Sequence, residues 1–101
     1  MIQHTVCFTL VHPAGSDAET DFLRTAAAVL PGVPGVDAFR IARQVGSQSE
    51  LQWQFSMDFP DRATYAAYDA HPDHRRFVES RWVSDVQAFT EFDFEPYTPR
   101  A

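Results

Sequence analysis

Ile2, His4, Val6, Phe8 and Leu10 alternate with Gln3, Thr5, Cys7 and Thr9. A period of two sends alternate residues to opposite faces of a strand, so the opening segment is predicted as a β-strand with His4 on its apolar face. His12-Pro13-Ala14-Gly15 breaks the pattern. Ser16-Asp17-Ala18-Glu19 then has the spacing of a capping box, with carboxylates in the first turn, where free amides favour negative charge. Phe22, Leu23, Ala26, Val29 and Leu30 recur at helical spacing until Pro31-Gly32-Val33-Pro34-Gly35 closes the helix. Val36 to Val45 reads as a second strand, with Phe39 and Ile41 on one side and Arg40 on the other, and Gly46-Ser47-Gln48-Ser49 as a hairpin turn. Leu51, Trp53, Phe55, Met57 and Phe59 alternate with Gln52, Gln54, Ser56 and Asp58 as a third strand. Pro60-Asp61 starts a short helix bearing Ala63, Tyr65, Ala66, Ala67 and Tyr68. Pro72 forces His71 out of helical geometry and itself suits the first position of a new helix, whose apolar stripe is Phe77, Val78, Trp82 and Val83. Val86 to Glu95, with Phe89, Phe92 and Phe94, reads as the last strand.

The order is β-α-β-β-α-β with the second helix in two pieces. This is an α+β, ferredoxin-like arrangement: a four-stranded antiparallel sheet with both helices on one face. No repeat, low-complexity segment or linker interrupts it, so residues 1–101 are expected to form one domain. The sheet's other face would carry Thr5, Cys7, Thr9, Gln52, Gln54 and Ser56, which are small or neutral. Such a face suits contact with a copy of itself, and the aromatic last strand points the same way, so a symmetric homodimer is expected.

Composition narrows the function. With 45% hydrophobic and 14% aromatic residues the chain has material for a core and is not a disordered segment. Eight basic against fourteen acidic residues give a net charge of −6, which removes the main driving term for binding nucleic acid or an anionic membrane surface. All basic residues are arginine, so lysine Schiff-base chemistry is excluded. The single Cys7 excludes an internal disulfide framework. The N-terminus lacks a signal peptide's pattern and no run reaches the roughly 18 apolar residues of a membrane span, so a soluble cytoplasmic protein is expected. The spacings that mark zinc sites, the glycine-rich phosphate loop and the G-x-S-x-G elbow are all missing; neither a metal nor another cofactor is expected.

The opening Met1-Ile2-Gln3-His4-Thr5-Val6, the Pro-Gly-Val segment before the second strand, and above all Tyr68-Asp69-Ala70-His71-Pro72-Asp73-His74-Arg75-Arg76-Phe77 resemble the stress-responsive A/B barrel family, the Dabb or dimeric A/B barrel domains. Phe92-Asp93-Phe94-Glu95-Pro96 fits that family's last strand, so the resemblance covers nearly the whole chain. It implies a homodimer whose sheets face each other to form a barrel, with a hydrophobic cleft between helices and sheet in each subunit. Family members include plant stress-associated proteins, an aromatic polyketide cyclase and a hydroxynitrile lyase, whereas most bacterial members have no assigned activity. In the cyclase branch a helix-borne histidine and tyrosine are the catalytic pair, and they correspond here to His74 and Tyr68. This chain departs from that branch at Trp53, where the branch has a histidine, and at Ala26, where it has a pocket tyrosine.

Chemically, a neutral histidine in a cleft takes a proton from an acidic carbon, and a phenol stabilises the enolate oxygen that results. His74 as base, Tyr68 as donor and His4 beneath them form the catalytic candidate set, with Trp53, Phe55, Ala26 and His71 as the candidate substrate wall. His74 is expected near the positive end of a helix dipole, which disfavours its protonation, with Asp73 pushing the other way. Structural roles compete at each position: His71 as a helix cap, Tyr65 and Tyr68 as core residues with satisfied hydroxyls, Trp53 and Phe55 as packing. Three functions follow. The first is a homodimer that binds a hydrophobic small molecule without assigned turnover. The second is a cofactor-independent cyclase or lyase acting on a hydrophobic or aromatic carbonyl compound. The third, weaker, is a cofactor-free monooxygenase-like protein, by analogy with neighbouring dimeric families.

Overall fold

The computed structural model describes all residues, Met1–Ala101. Four strands, β1 (Ile2–Leu10), β2 (Asp37–Arg43), β3 (Trp53–Phe59) and β4 (Val86–Phe94), form one antiparallel sheet in the order β2-β3-β1-β4. α1 (Asp17–Val29) connects β1 to β2. Between β3 and β4 run α2 (Arg62–Ala70), α3 (Pro72–Phe77), a π-helical turn over Val78–Trp82, and α4 (Val83–Asp85). The fold is α+β and ferredoxin-like. No helix is long and apolar enough to cross a membrane.

α1, α2 and α3 each begin where the sequence supplies a cap. The Ser16 hydroxyl accepts from the Glu19 amide at 3.2 Å, and the Glu19 carboxylate reaches back to the Gly15 amide at 2.9 Å, one residue earlier than in the usual reciprocal box. Asp61 accepts from both the amide (2.8 Å) and the hydroxyl (2.7 Å) of Thr64, which holds its carboxyl below the usual carboxylate range. At the break between α2 and α3, Pro72 occupies the first helical position and His71 Nδ1 accepts from the Asp73 amide at 3.1 Å.

The sequence and the structure differ at three places. β2 and β3 are joined by a nine-residue loop over 44–52 rather than a tight turn at Gly46–Ser49: the strand ladder ends at Arg43 and Trp53, and beyond it the Gln44 amide donates to the Gln52 carbonyl at 2.8 Å. β2 begins one residue late and carries an irregularity between Asp37 and Arg40, with Ala38 at φ +52°. The last helical segment is not a continuous α-helix: its middle turn is π-helical, and Arg81 within it ties the segment to α1 through Asp21 (2.8 Å) and the Thr25 hydroxyl (3.0 Å). Gly35, in the loop before β2, sits at φ +91° with the Thr64 methyl directly over its α-carbon, so both its backbone angle and its surroundings require glycine.

The helices pack on one sheet face over two clusters of buried side chains. The larger contains Val6, Phe8, Leu10, Phe22, Ala26, Leu30, Phe55 and Phe77; the smaller contains Ile2, Val33, Met57, Phe59 and Tyr68. Phe22 is the ring that fastens α1 down, with ring centroids 5.9 Å from Phe8, 5.7 Å from Phe77, and 6.2 Å from both Phe55 and Trp82. On the opposite face, Gln54 donates to the Thr5 hydroxyl at 2.8 Å and Arg40 to the Ser56 hydroxyl at 3.1 Å, while Phe92 and Phe94 stack 5.8 Å apart and stand exposed. Truncating the fully buried Phe22 removes a ring from an aromatic cluster that cannot collapse around the void. Phe22→Ala is expected to lower unfolding stability by about 3–5 kcal/mol, read by urea denaturation.

Candidate functional site

His4 follows from the alternation of β1: it lies between Ile2 and Val6 on the helix-facing side and is 7% exposed. Those two neighbours belong to different core clusters, so His4 marks the seam between them. A cavity of about 470 Å³ opens along this seam. Val6, Leu30, Phe55 and Phe77 line it from the larger cluster and Met57 and Tyr68 from the smaller. The last helical segment adds His74, Arg75, Val78, Trp82 and Val83; β4 adds Val86, Phe89 and Glu91; His4 and Asp69 complete the wall.

The His74 ring packs 4.4 Å from that of Tyr68, and its Nδ1 is 2.9 Å from the Asp69 carbonyl oxygen. A carbonyl can only accept, so Nδ1 carries the hydrogen and Nε2 the lone pair. Burial holds His74 below its ordinary pKa of 6.5; Arg75 and His4 push the same way, and the Asp69 carbonyl and carboxylate oppose them. The sequence had pointed to the helix dipole and to Asp73. Instead desolvation dominates, and Asp73 is engaged with Arg76 at 3.2 Å. Tyr68 is held well above the ordinary phenol range, first by burial and then by the negative charges of Asp69 and Glu91, so at neutral pH it is a hydrogen-bond donor and not a phenolate.

His4 Nδ1 meets the Asp93 carboxylate at 2.6 Å, and the Tyr65 hydroxyl lies 3.1 Å from the same nitrogen. Tyr65 is also raised above the ordinary range, by burial and then by Asp93. The β1–β4 register explains the contact: His4 is opposite Asp93 and Val6 opposite Glu91, so both acids project to the helix side while Phe92 and Phe94 project to the open face.

Of the residues singled out in the sequence, His4, Tyr68, His74 and Phe55 therefore surround one cavity. Trp53, Ala26 and His71 do not line it. Trp53 lies at the far end of β3, with the Arg43 guanidinium 5.1 Å over its ring. Ala26 is fully buried where α1 packs on the sheet, and His71 is occupied as the α3 cap. Asp93, Tyr65 and Glu91 were not singled out as site residues. Antiparallel pairing to β1 assigns the faces of Asp93 and Glu91 once the register is known, but hydrophobic alternation alone, dominated by three phenylalanines, does not. No group of three or more His, Cys, Asp or Glu side chains is gathered so as to hold a metal ion.

The Stress responsive A/B Barrel Domain matches residues 2–96. The chain belongs to this family. A Dabb family protein with a ferredoxin-like fold from Mesorhizobium loti is 42% identical, with 96% of this chain and 97% of that chain covered and a TM-score of 0.95. An Arabidopsis thaliana protein is 16% identical over all of both chains at a TM-score of 0.84. A dimeric ferredoxin-like protein of unknown function from Thermobifida fusca is 16% identical, covering 92% of this chain and 88% of that chain, at a TM-score of 0.75. No curated protein matches the chain.

In this A/B barrel domain the state of His74 is directly measurable. Nitrogen NMR is expected to show the Nδ1–H tautomer and a titration midpoint below 6.5. Because the folded protein takes up this proton less readily than the unfolded chain, stability should fall as pH drops below about 7 through that midpoint. His74→Gln should flatten this stretch of the stability–pH curve. A curve of unchanged slope in the variant would contradict the assignment.

Proposed function

We propose that this A/B barrel domain is a homodimer whose cavity binds a hydrophobic carbonyl compound and catalyses proton transfer on it without a cofactor, as a cyclase- or lyase-type enzyme. The observation that carries this reading is the convergence of His74, Tyr68 and His4 on one mainly apolar cavity. In it, the His74 Nε2 lone pair takes a proton from the carbon next to the ligand's carbonyl. Negative charge then develops on the carbonyl oxygen, where the Tyr68 phenol donates a hydrogen bond. An aldol-type ring closure proceeds from that enolate, and protonated His74 returns the proton. The apolar walls exclude water that would compete for the enolate.

Binding without turnover is the second reading, favoured by the close packing of the Tyr68 and His74 rings, which makes the pair a continuous wall. Poly-β-keto compounds and α-hydroxynitriles, followed with wild type, His74→Ala and Tyr68→Phe, separate the two. Catalysis predicts a loss of at least about 10²-fold in His74→Ala and about 10²-fold in Tyr68→Phe, with the wild-type rate rising with pH through the depressed His74 midpoint. Equal rates in wild type and His74→Ala would remove His74 from the chemistry, and binding without conversion would leave the second reading.

The dimer is supported by the exposed Phe92–Phe94 stack on the sheet face away from the helices, beside the uncharged Thr5, Gln54 and Ser56. The Thermobifida fusca relative is itself described as dimeric. Sedimentation should give a species of twice 11.5 kDa, and Phe92→Glu should shift it to the monomer. A single 11.5 kDa species of the wild type at micromolar concentration would refute the dimer.

A further inference from the structure

His4 is 7% exposed, yet the chain uses only one of its two ring nitrogens. The Asp93 carboxylate 2.6 Å from Nδ1 can only accept, so Nδ1 carries the hydrogen and the neutral ring keeps its lone pair on Nε2. The Tyr65 hydroxyl, 3.1 Å from Nδ1, meets a donor there and not a lone pair. Nε2 has no partner in the chain, and it is not sealed in protein. The unpartnered side-chain atoms that are sealed are Trp53 Nε1 and Asp58 Oδ1, neither of them on this wall, so Nε2 opens to the cavity that His4 lines. A ligand that fills the cavity cuts this acceptor off from water, which is costly unless the ligand returns a donor. Tyr68, 2% exposed, likewise has no partner for its hydroxyl within the chain, and its ring lies 6.5 Å from that of His4. Asp69, Arg75 and Glu91 also line the cavity but are exposed, so they stay in water and discriminate less between ligands.

We propose that His4 Nε2 is a ligand-binding acceptor, and that the compound the cavity takes carries a hydroxyl across one aromatic ring from its carbonyl. The carbonyl accepts from Tyr68 and the hydroxyl donates to His4, a pairing that the 6.5 Å separation of the two rings suits. Asp93 is a positioning residue: by accepting from Nδ1 it keeps the lone pair on the cavity side. This rests on the reading of the cavity as a carbonyl-binding site and adds the second polar group that its ligand bears. Ethers and unsubstituted ketones of the same shape leave Nε2 unpaired and bind more weakly.

The test compares 4-hydroxymethylacetophenone with its methyl ether and with 4-methylacetophenone, which share the ketone and the ring and differ in the donor. Ligand-observed NMR titration of the full chain at about pH 8, where imidazole is ordinarily neutral, should rank the alcohol about tenfold tighter than the other two. In His4→Phe all three should bind within about twofold of one another. In Asp93→Asn, Nδ1 of His4 faces two groups able to donate, the new amide and the Tyr65 hydroxyl, so the hydrogen moves to Nε2. The ether, which can only accept, should then close to within about threefold of the alcohol, and nitrogen NMR should report the change of tautomer. A loss of packing alone would weaken all three ligands together and leave the tautomer as it was. Equal binding of alcohol and ether by the wild type, or an alcohol preference that survives in His4→Phe, would overturn the role of His4 and leave the carbonyl-binding cavity standing. An unchanged tautomer in Asp93→Asn would overturn the positioning role of Asp93. Failure of all three ketones to bind the wild type would overturn both the inference and the reading beneath it.

Discussion

The site depends on what Pro72 does to the backbone. In an unbroken helix the Asp69 carbonyl would accept from the amide four residues on, at Asp73. Pro72 ends α2, His71 turns to the extended conformation, and the Asp73 amide donates to the His71 ring instead. The Asp69 carbonyl, left without a backbone donor, accepts from His74 Nδ1. One residue without an N–H thus frees an acceptor, aims a histidine at it and fixes that histidine's tautomer. Helix termini leave carbonyls that need partners, and here the partner is a side chain at the centre of the candidate site.

The cavity has an equally local origin. The core is not continuous: its two clusters meet along β1 between Ile2 and Val6, and the residue at the meeting point is His4 rather than an aliphatic side chain. A buried imidazole needs polar partners, and Asp93 and Tyr65 supply them. Those partners hold the ring against the sheet and leave the space above it to the last helical segment. There the π-helical turn accommodates an extra residue and brings both Trp82 and Val83 to the wall. Segments of this kind recur at functional sites because they trade helical regularity for the placement of side chains.

Much of this was legible in the chain itself. Period-two alternation in β1 and β3, the Ser16 and Asp61 caps and the Pro72 break specify the order of elements, and alternation alone puts His4 inside. The spacing of Tyr68 and His74 around Pro72 marks them as a pair. What could not be read there depends on register and depth. Phe89, Phe92 and Phe94 look alike in sequence, yet the pairing with β1 sends Phe89 to the cavity and the other two to the open face. The same pairing turns Asp93 and Glu91 inward, where charged residues are not expected. Trp53 and Phe55 are two apart on one strand and share its helix-facing side, but only Phe55 reaches the cavity, because position along the strand decides it as much as the face does.

The two histidines also show why a constellation is better judged by its supports than by its members. His4 and His74 both use Nδ1 to hold themselves in place, but His4 is anchored to a carboxylate on a neighbouring strand and His74 to a carbonyl in the last turn of the preceding helix. The first anchor crosses 89 residues of sequence and exists only when β1 and β4 are paired. The second spans five residues and forms with the local chain reversal. Substitutions in the sheet edge therefore act on His4 and its partners, whereas substitutions around Pro72 act on His74. The pair converges only because the helical segment carrying one anchor packs over the strand carrying the other. The site's geometry is thus a property of the whole domain, even though each of its hydrogen bonds has a local cause.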